Sequence, residues 1–335
     1  MLFRSRGVER FNVGDEAGDV AVGDINGDGW QDMVGLSRDV PLIRAFFGKG
    51  NGEFELGWQS TDCTSPYDFA LADFNGDGHL DLIVVDYDIG GVRIFYNDGS
   101  GSFQPPVSHE NLLESATLLA VADLNHDGAP DFELHHNGSS ATLRTFLNDG
   151  VGNFVQAAQL DDIDSFSVSL FADFNNDAYP DLLIAGCMVG EFKIYLGQGD
   201  GTFQAGTSLV TVGYFSSADV SDVNNDGHLD VFACMPNGSD TDFMVLPGNG
   251  DGTFQAAVQT NSERLAHFAF LIDPDMDGIL DLAVTFPDYS MGIANGVGNG
   301  EFDYLGAYDT RFYIGDEPIF FMTAYLNGRP PGNKP

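Results

Sequence analysis

The sequence predicts an all-β fold, a β-propeller of four-stranded blades. Two independent marks recur about every 50 residues, and the text between them reads as short strands. The first mark is D-x-[ND]-x-D-[GA]-x-x-D, which begins at Asp24, Asp73, Asp123, Asp173, Asp222 and Asp273, at intervals of 49, 50, 50, 49 and 51 residues. The second is a glycine turn, small-x-G-x-G-x-F or a near variant, which ends at Phe54, Phe103, Phe154, Phe203, Phe254 and Phe302. Each Phe follows the first Asp of its own unit by 29 to 32 residues, so both marks keep one period. Chance does not do this.

Each strand of the unit has its own warrant. An apolar run precedes the acidic loop (69–74, 118–124, 169–174) and a second follows it directly (82–85, 182–185, 231–233). A third, with alternation, leads into the glycine turn (92–96, 192–196). These runs are short, rich in Val, Ile, Phe and Tyr, and bounded by turn residues, which is strand language. A fourth strand fits between the Phe and the next unit. No window offers an amphipathic helix. The whole chain, 1–335, therefore reads as one propeller domain, with units starting near 19, 68, 117, 168, 217 and 268 and a partial unit at 318–335.

The ends bear on the count. Residues 319–328 copy a first strand and the opening of a seventh loop, but Tyr325 stands where an Asp is due and Arg329 replaces the next. Residues 1–13 resemble the last strand of a blade that precedes the first loop. The expectation is six complete blades plus an incomplete seventh. A closed ring of six, with the ends as extra strands, is the alternative.

Charge and composition exclude several classes of function. With 13 Lys+Arg against 51 Asp+Glu, the net charge is −38, which repels nucleic acid and anionic membrane surfaces. A hydrophobic fraction of 43 % with 28 Phe is too high for a disordered acidic polymer. No apolar run is long enough for a membrane span. Met1-Leu2-Phe3-Arg4-Ser5-Arg6 has charge without an apolar run behind it, so no secretory leader is read there. Cys63, Cys187 and Cys234 form no C-x-x-C pair, which argues against a disulfide scaffold and a zinc site and for small buried hydrophobes.

The acidic loops have the makings of hard-cation sites. Ca²⁺ takes six to eight oxygens, and carboxylates or carboxamides at positions 1, 3 and 5 of a short loop point alternate side chains inward. Position 7 can add its backbone carbonyl, Asp at position 9 can close the shell, and Gly at position 6 permits a left-handed turn. Loop one supplies Asp24, Asn26, Asp28, the carbonyl of Trp30, and Asp32; loop two supplies Asp73, Asn75, Asp77, the carbonyl of His79, and Asp81. Loop three has Asp123, Asn125, Asp127, Ala129 and Asp131; loop five has Asp222, Asn224, Asp226, His228 and Asp230. Loop four, Asp173, Asn175, Asp177, Tyr179 and Asp181, has Ala178 in place of the position-6 Gly, so a weaker site is expected there. Loop six, Asp273, Asp275, Asp277, Ile279 and Asp281, has four carboxylates, which favours binding and adds repulsion without an ion. Asp, Asn and Gly are also good turn formers, but turn chemistry does not demand a 1-3-5-9 spacing in every unit. No Cys or His side chain fills a ligand position, which disfavours zinc and copper. Up to six Ca²⁺ are expected.

These units, such as Asp73-Phe74-Asn75-Gly76-Asp77-Gly78-His79-Leu80-Asp81 and Gly248-Asn249-Gly250-Asp251-Gly252-Thr253-Phe254, resemble FG-GAP/VCBS-type repeats. Such repeats build the propeller heads of integrin α-subunits, many secreted bacterial proteins and some fungal lectins. The resemblance implies an extracellular or cell-surface, calcium-stabilised, seven-bladed propeller used in adhesion or glycan binding.

A partner is expected at the end of the blades away from both marks, where the links do not repeat. Within blades these are Ser37-Arg38-Asp39, Tyr87-Asp88, His135-His136-Asn137 and Asp240-Thr241-Asp242; between blades, Pro66-Tyr67-Asp68, 162–166, Tyr214-Phe215 and Glu263-Arg264. Tyr67, Phe166, Tyr214 and Tyr289 among Asp and Arg suit a sugar or peptide. His135 and His136 are adjacent on a strand and point to opposite faces, so they are not read as a metal pair. The glycosylation pattern at Asn137-Gly138-Ser139 and Asn237-Gly238-Ser239 is common by chance. With no G-x-S-x-G, H-E-x-x-H or P-loop, no catalytic residues and no enzyme activity are expected. The expected function is recognition of a glycan or protein; the alternatives are the propeller of a polysaccharide-acting enzyme, or a structural part.

Overall fold

A computed structural model describes residues 17–304 except 39, 52, 137–140, 164–167, 187–190, 212–214, 236–242, 261–267, 274–276 and 286–290. The expected seventh unit and the strand at 1–13 lie outside these residues, as do Cys187, Asp275, Phe166, Tyr214, Tyr289, Glu263, Arg264, both glycosylation patterns and the 240–242 link. Contacts group the described residues into two compact units, one up to Thr117 and one from Leu118 onwards.

The first unit holds two sheets. Strands β1 (Ala17–Gly23), β2 (Asp32–Ser37), β3 (Leu42–Gly48) and β4 (Phe54–Ser60) make blade one; β5 (Pro66–Ala72), β6 (Asp81–Asp86), β7 (Gly91–Phe95) and β8 (Val107–His109) make blade two. The second unit holds four. Blade three is β9 (Leu118–Ala122), β10 (Asp131–His136), β11 (Ala141–Asn148) and β12 (Phe154–Ile163). Blade four is β13 (Val168–Ala172), β14 (Asp181–Gly186), β15 (Glu191–Tyr195) and β16 (Thr207–Thr211). Blade five is β17 (Ser217–Ser221), β18 (Asp230–Cys234), β19 (Phe243–Leu246) and β20 (Val258–Thr260). Blade six is β21 (Phe268–Ile272), β22 (Asp281–Thr285), β23 (Met291–Gly296) and β24 (Phe302–Tyr304). Every sheet is an antiparallel meander in chain order. Among the described residues no helix is long and apolar enough to cross a membrane.

Burial follows position in the blade. The second strand is covered on both faces, so DLIVVD (β6) and DLLIAG (β14) are buried throughout and read as unbroken apolar runs. The fourth strand is the edge: β4 leaves Glu55, Leu56 and Gly57 in solvent. Apolar side chains of neighbouring blades meet in shared cores. In the first unit Val34, Leu36 and Ile43 of blade one pack with Leu82, Val84 and Phe95 of blade two. Trp58 of blade one closes that core, its ring 5.6 Å from Phe95 and 4.7 Å from Phe103. The recurrent glycine-turn Phe takes part in such cores: Phe254 lies 5.6 Å from Phe174 of blade four, and Phe302 lies 6.1 Å from Phe232 of blade five. Cys63 and Cys234 are buried, and burial pushes the Cys63 thiol up to about 12, so it behaves as a small apolar residue.

Blade three departs from the apolar pattern most at β10. Glu133 and His135 are fully buried on one face of β10, and the Ser169 hydroxyl of blade four donates to Glu133. Burial, with His136 nearby, pushes the His135 imidazole down to about 3, so it is neutral; His136 is half-buried on the other face.

Candidate functional site

The acidic loops all join the first strand of a blade to the second. Register fixes their span, because position 9 is the first residue of the second strand and faces the last residue of the first. The pairs are Gly23 with Asp32, Ala72 with Asp81, Ala122 with Asp131, Ala172 with Asp181, Ser221 with Asp230 and Ile272 with Asp281.

Within that span the side-chain oxygens organise the backbone. In loop two Asp73 Oδ1 accepts from the N–H groups of Gly76 (2.8 Å) and Asp77 (3.1 Å), and its Oδ2 accepts from Gly78 (2.7 Å). Asn75 Oδ1 accepts from the same Asp77 N–H at 2.9 Å, and Asp77 Oδ1 accepts from His79 at 2.9 Å. Oxygens of positions 1 and 3 thus share one donor and lie together. All but the Gly76 bond recur for Asp24, Asn26 and Asp28; for Asp123, Asn125 and Asp127; for Asp173, Asn175 and Asp177; and for Asp222, Asn224 and Asp226. In loop six Asp273 holds Gly278 and Asp277 holds Ile279, while Asp275 lies outside the described residues.

Position 6 is left-handed in every loop, with φ 88° at Gly29 and Gly78 and 76° at Ala178. A Cβ added at Gly29, Gly78, Gly128, Gly227 or Gly278 would meet nothing within 4 Å, so only the backbone opposes a side chain. Ala178→Gly is therefore expected to stabilise. The left-handed penalty of about 1–2 kcal/mol exceeds the roughly 0.4–1 kcal/mol of unfolded-chain entropy that glycine adds. Urea unfolding of the variant should show a gain; a loss would mean that the alanine is relaxed there.

Position 9 has a second role that the spacing did not reveal. Asp32, Asp81, Asp131, Asp181 and Asp230 are fully buried. One oxygen of each accepts from the N–H of loop position 2 (Ile25, Phe74, Leu124, Phe174, Val223) at 2.8–3.0 Å. The other accepts from the start of the blade's glycine turn (Gly48, Asn97, Asn148, Gly197, Gly248) at 2.7–2.8 Å, and Asp281 does the same to Gly296 at 2.9 Å. The carboxylate clamps the two marks together, and in Asp32 and Asp230 the first oxygen also accepts from the N–H of position 3 at 3.2 Å. Burial pushes Asp81, Asp131 and Asp181 up to about 6 against those bonds, and the neighbouring loop carboxylates push the same way.

Two further features were not legible in the sequence: the conformation of position 4 and the place of the position-7 side chain. Position 4 is left-handed at Gly27, Gly76, His126, Asn176 and Asn225; its occupants, Gly, Asn and His, are the types that tolerate this conformation. The position-7 side chain lies over the first glycine of the blade's own turn, where a Cβ would come within 2.3–2.5 Å of Trp30 (at Gly50), His79 (Gly99), Tyr179 (Gly199) or His228 (Gly250). Adjacent blades are tied through the same loops. Asn97 Nδ2 donates to the Ile25 carbonyl of blade one at 2.8 Å, and Gly252 N–H of blade five donates to Phe174 O of blade four at 3.0 Å.

The donor set fits a hard cation: in loops one to five, carboxylate and carboxamide oxygens that are half-buried at positions 1 and 3 and exposed at position 5, and no sulfur or imidazole nitrogen among them. Among the described residues no three His, Cys, Asp or Glu side chains already converge as a metal-binding group; in loops one to five the oxygens of positions 1 and 3 are engaged by the loop's own N–H groups, while Asp273 Oδ1 is buried without a hydrogen bond. For calcium, positions 1, 3 and 5 of each loop would supply side-chain ligands and position 7 its backbone carbonyl, with position 9 behind them.

At the other end of the blades, the structure brings together three residues that the sequence offered separately. Arg38 follows β2, Tyr67 is the second residue of β5, and Tyr87 stands on a short 3-10 turn, Tyr87–Ile89, after β6. The Arg38 guanidinium carbon is 5.6 Å from the Tyr67 ring centre, and its Nε donates to the Tyr67 carbonyl at 3.0 Å. The Tyr67 and Tyr87 rings are 5.2 Å apart, inclined by 30°.

A family model, the FG-GAP-like repeat, matches residues 24–84, 73–132, 173–233 and 222–284, a span that includes all six acidic loops. No curated protein matches the chain. Among solved structures, an Agrocybe aegerita lectin that specifically recognises non-reducing terminal N-acetylglucosamine is similar over 87 % of this chain and 80 % of its own, at 19 % identity and a TM-score of 0.62. A Lactobacillus plantarum protein is similar over 86 % and 83 %, at 13 % identity and a TM-score of 0.59. A functionally unknown Desulfotomaculum acetoxidans protein is similar over 88 % and 91 %, at 13 % identity and 0.57. At these identities the likeness is one of fold.

Proposed function

The chain belongs to the FG-GAP-like repeat family, a family of repeat propellers, and from that premise we propose that it is a non-enzymatic recognition or adhesion module stabilised by Ca²⁺. Its partner, a glycan or a protein, binds at the blade ends opposite the acidic loops. The observation that carries this reading is the contrast between the two ends. One end repeats the same oxygen-lined loop in every blade, as a structural device should. The other varies in sequence from blade to blade and carries the Arg38–Tyr67–Tyr87 cluster. Similarity to a lectin supports a glycan as partner.

Exposed loops with few carboxylates suit the weak affinity of extracellular calcium modules, about 10⁻⁴–10⁻³ M. This favours an extracellular or cell-surface setting, where calcium is millimolar. The test is binding of the whole chain to arrayed glycans and to immobilised extracellular-matrix proteins, with Ca²⁺ or with EGTA. Calcium-dependent binding to either class is expected. Binding to neither would remove the recognition role, and binding undiminished in EGTA would remove calcium from it.

A further inference from the structure

The cluster at the junction of blades one and two is built more rigidly than a solvated loop needs. Behind it Asp86, fully buried, accepts from Thr64 N (3.0 Å), Thr64 Oγ1 (2.9 Å), Ser65 N (3.1 Å) and Arg93 Nε (2.6 Å). That carboxylate locks the segment that leads into Tyr67 to the strand end that leads into Tyr87. The Tyr87 turn is tied further. Its own N–H donates to Ser65 O at 2.9 Å, and Gly90, left-handed at φ 57°, donates back to Tyr87 O at 3.1 Å. Asn111 and Leu113 donate to Ile89 O and Gly90 O, each at 3.0 Å. On this frame Tyr87 is 38 % exposed and the adjacent Asp88 is exposed. A large ring held still in solvent has paid its ordering entropy before any ligand arrives.

We propose that Tyr87, supported by Tyr67 and Arg38, is a subsite for a neutral pyranose sugar. This rests on the recognition reading above and names its ligand class. An aromatic face is electron-rich and attracts the weakly positive C–H groups on the apolar side of a sugar ring. The hydroxyls around that ring need donors and acceptors at the rim; Arg38 supplies only donors and Asp88 only acceptors.

Charge selects among ligands. An anionic sugar approaches a chain of net charge −38 and meets the exposed Asp88, the next residue after Tyr87. A cationic peptide side chain meets the guanidinium that already stands over Tyr67. A neutral polyol pays neither cost.

The test is an array of neutral, sialylated and sulfated oligosaccharides probed with the wild-type chain and with Tyr87→Ala, Tyr87→Phe and Arg38→Gln, each first matched to wild type in melting temperature. Wild type should bind neutral structures. Tyr87→Ala should lose about tenfold or more, as for an aromatic anchor, Arg38→Gln should weaken binding, and Tyr87→Phe, which keeps the ring face, should bind like wild type. Should Tyr87→Ala bind neutral glycans as well as wild type does, this subsite is overturned while the recognition role stands. Binding only to acidic glycans, or only to proteins, also overturns the neutral-sugar assignment. Binding to no oligosaccharide overturns the neutral-sugar assignment, and binding to no matrix protein either overturns the recognition role with it.

Discussion

Asp86→Ala is expected to cost about 3–5 kcal/mol, the usual penalty for breaking a buried ion pair by removing one partner. Asp86 is fully buried, and Arg93, its partner at 2.6 Å, keeps only 17 % of its side chain exposed. Deletion takes the shared acceptor away from the Arg93 guanidinium, two backbone N–H groups and the Thr64 hydroxyl at a part-buried site. Burial alone would raise the pKa of this carboxyl, but the bonds from Thr64, Arg93 and Ser65 outweigh burial and hold it below 3.8. The sign follows from that direction. The folded pKa lies beneath the unfolded one, so the contribution is present above pH 3.8 and is lost as pH falls through the folded value. Urea unfolding at neutral pH should show the loss for Asp86→Ala. Asp88→Ala, at an exposed carboxylate two residues on, should stay within about 0.5 kcal/mol of wild type. Equal effects of the two substitutions would mean that the Asp86 network adds nothing.

Asp81 is as buried as Asp86 and shifts the other way, and this contrast shows what a sequence can and cannot reveal. Both stand in β6 as aspartates at its ends. The spacing of Asp73, Asn75, Asp77 and Asp81 was enough to place the loop between two strands. What became of the last carboxylate depends on register: Asp81 faces Ala72, turns inward and meets the N–H groups of Phe74 and Asn97. An aspartate bound for an ion, for solvent or for a backbone donor is the same letter. Position 4 was hidden differently, because Gly76, His126 and Asn176 share no composition, only a tolerance for positive φ. The strands themselves were legible, since a doubly covered second strand such as DLLIAG writes its burial into every letter. Arg38, Tyr67 and Tyr87 were each visible as loop residues. Arg38 meets Tyr67 through the packing of one blade on the next, across 29 residues, and Tyr67 meets Tyr87 through the pairing of β5 with β6, across 20; no local period reaches either.

Removal of Ca²⁺ is expected to have the largest effect. At tenfold excess over its dissociation constant, one ion bound only by the folded chain adds about 1.4 kcal/mol, from RT ln(1 + [L]/Kd). Six independent sites would add about 8 kcal/mol by the same relation, or a rise in melting temperature on the order of 10–20 °C. Mg²⁺ should do much less, because it sheds its waters reluctantly and demands a tighter octahedron. Proton competition adds a signature that other cation effects lack. The folded pKa of Asp81, Asp131 and Asp181, raised first by burial to about 6, lies above the unfolded 3.8. Their contribution is therefore fully present below 3.8 and is lost as pH rises through 6, so the chelated chain should weaken between pH 5 and pH 7. An ion near these loops favours the ionised form, so the Ca²⁺-induced rise should be greater at pH 7 than at pH 5. Melting in EGTA, Ca²⁺ and Mg²⁺ at both values tests this directly. A melting temperature indifferent to Ca²⁺ at pH 7 would mean that the loops hold themselves by their own N–H groups and need no ion. If the rise appears, the ties from Asn97 to Ile25 and from Gly252 to Phe174 give it reach: each ion would then brace the contact between two blades as well as the turn that binds it.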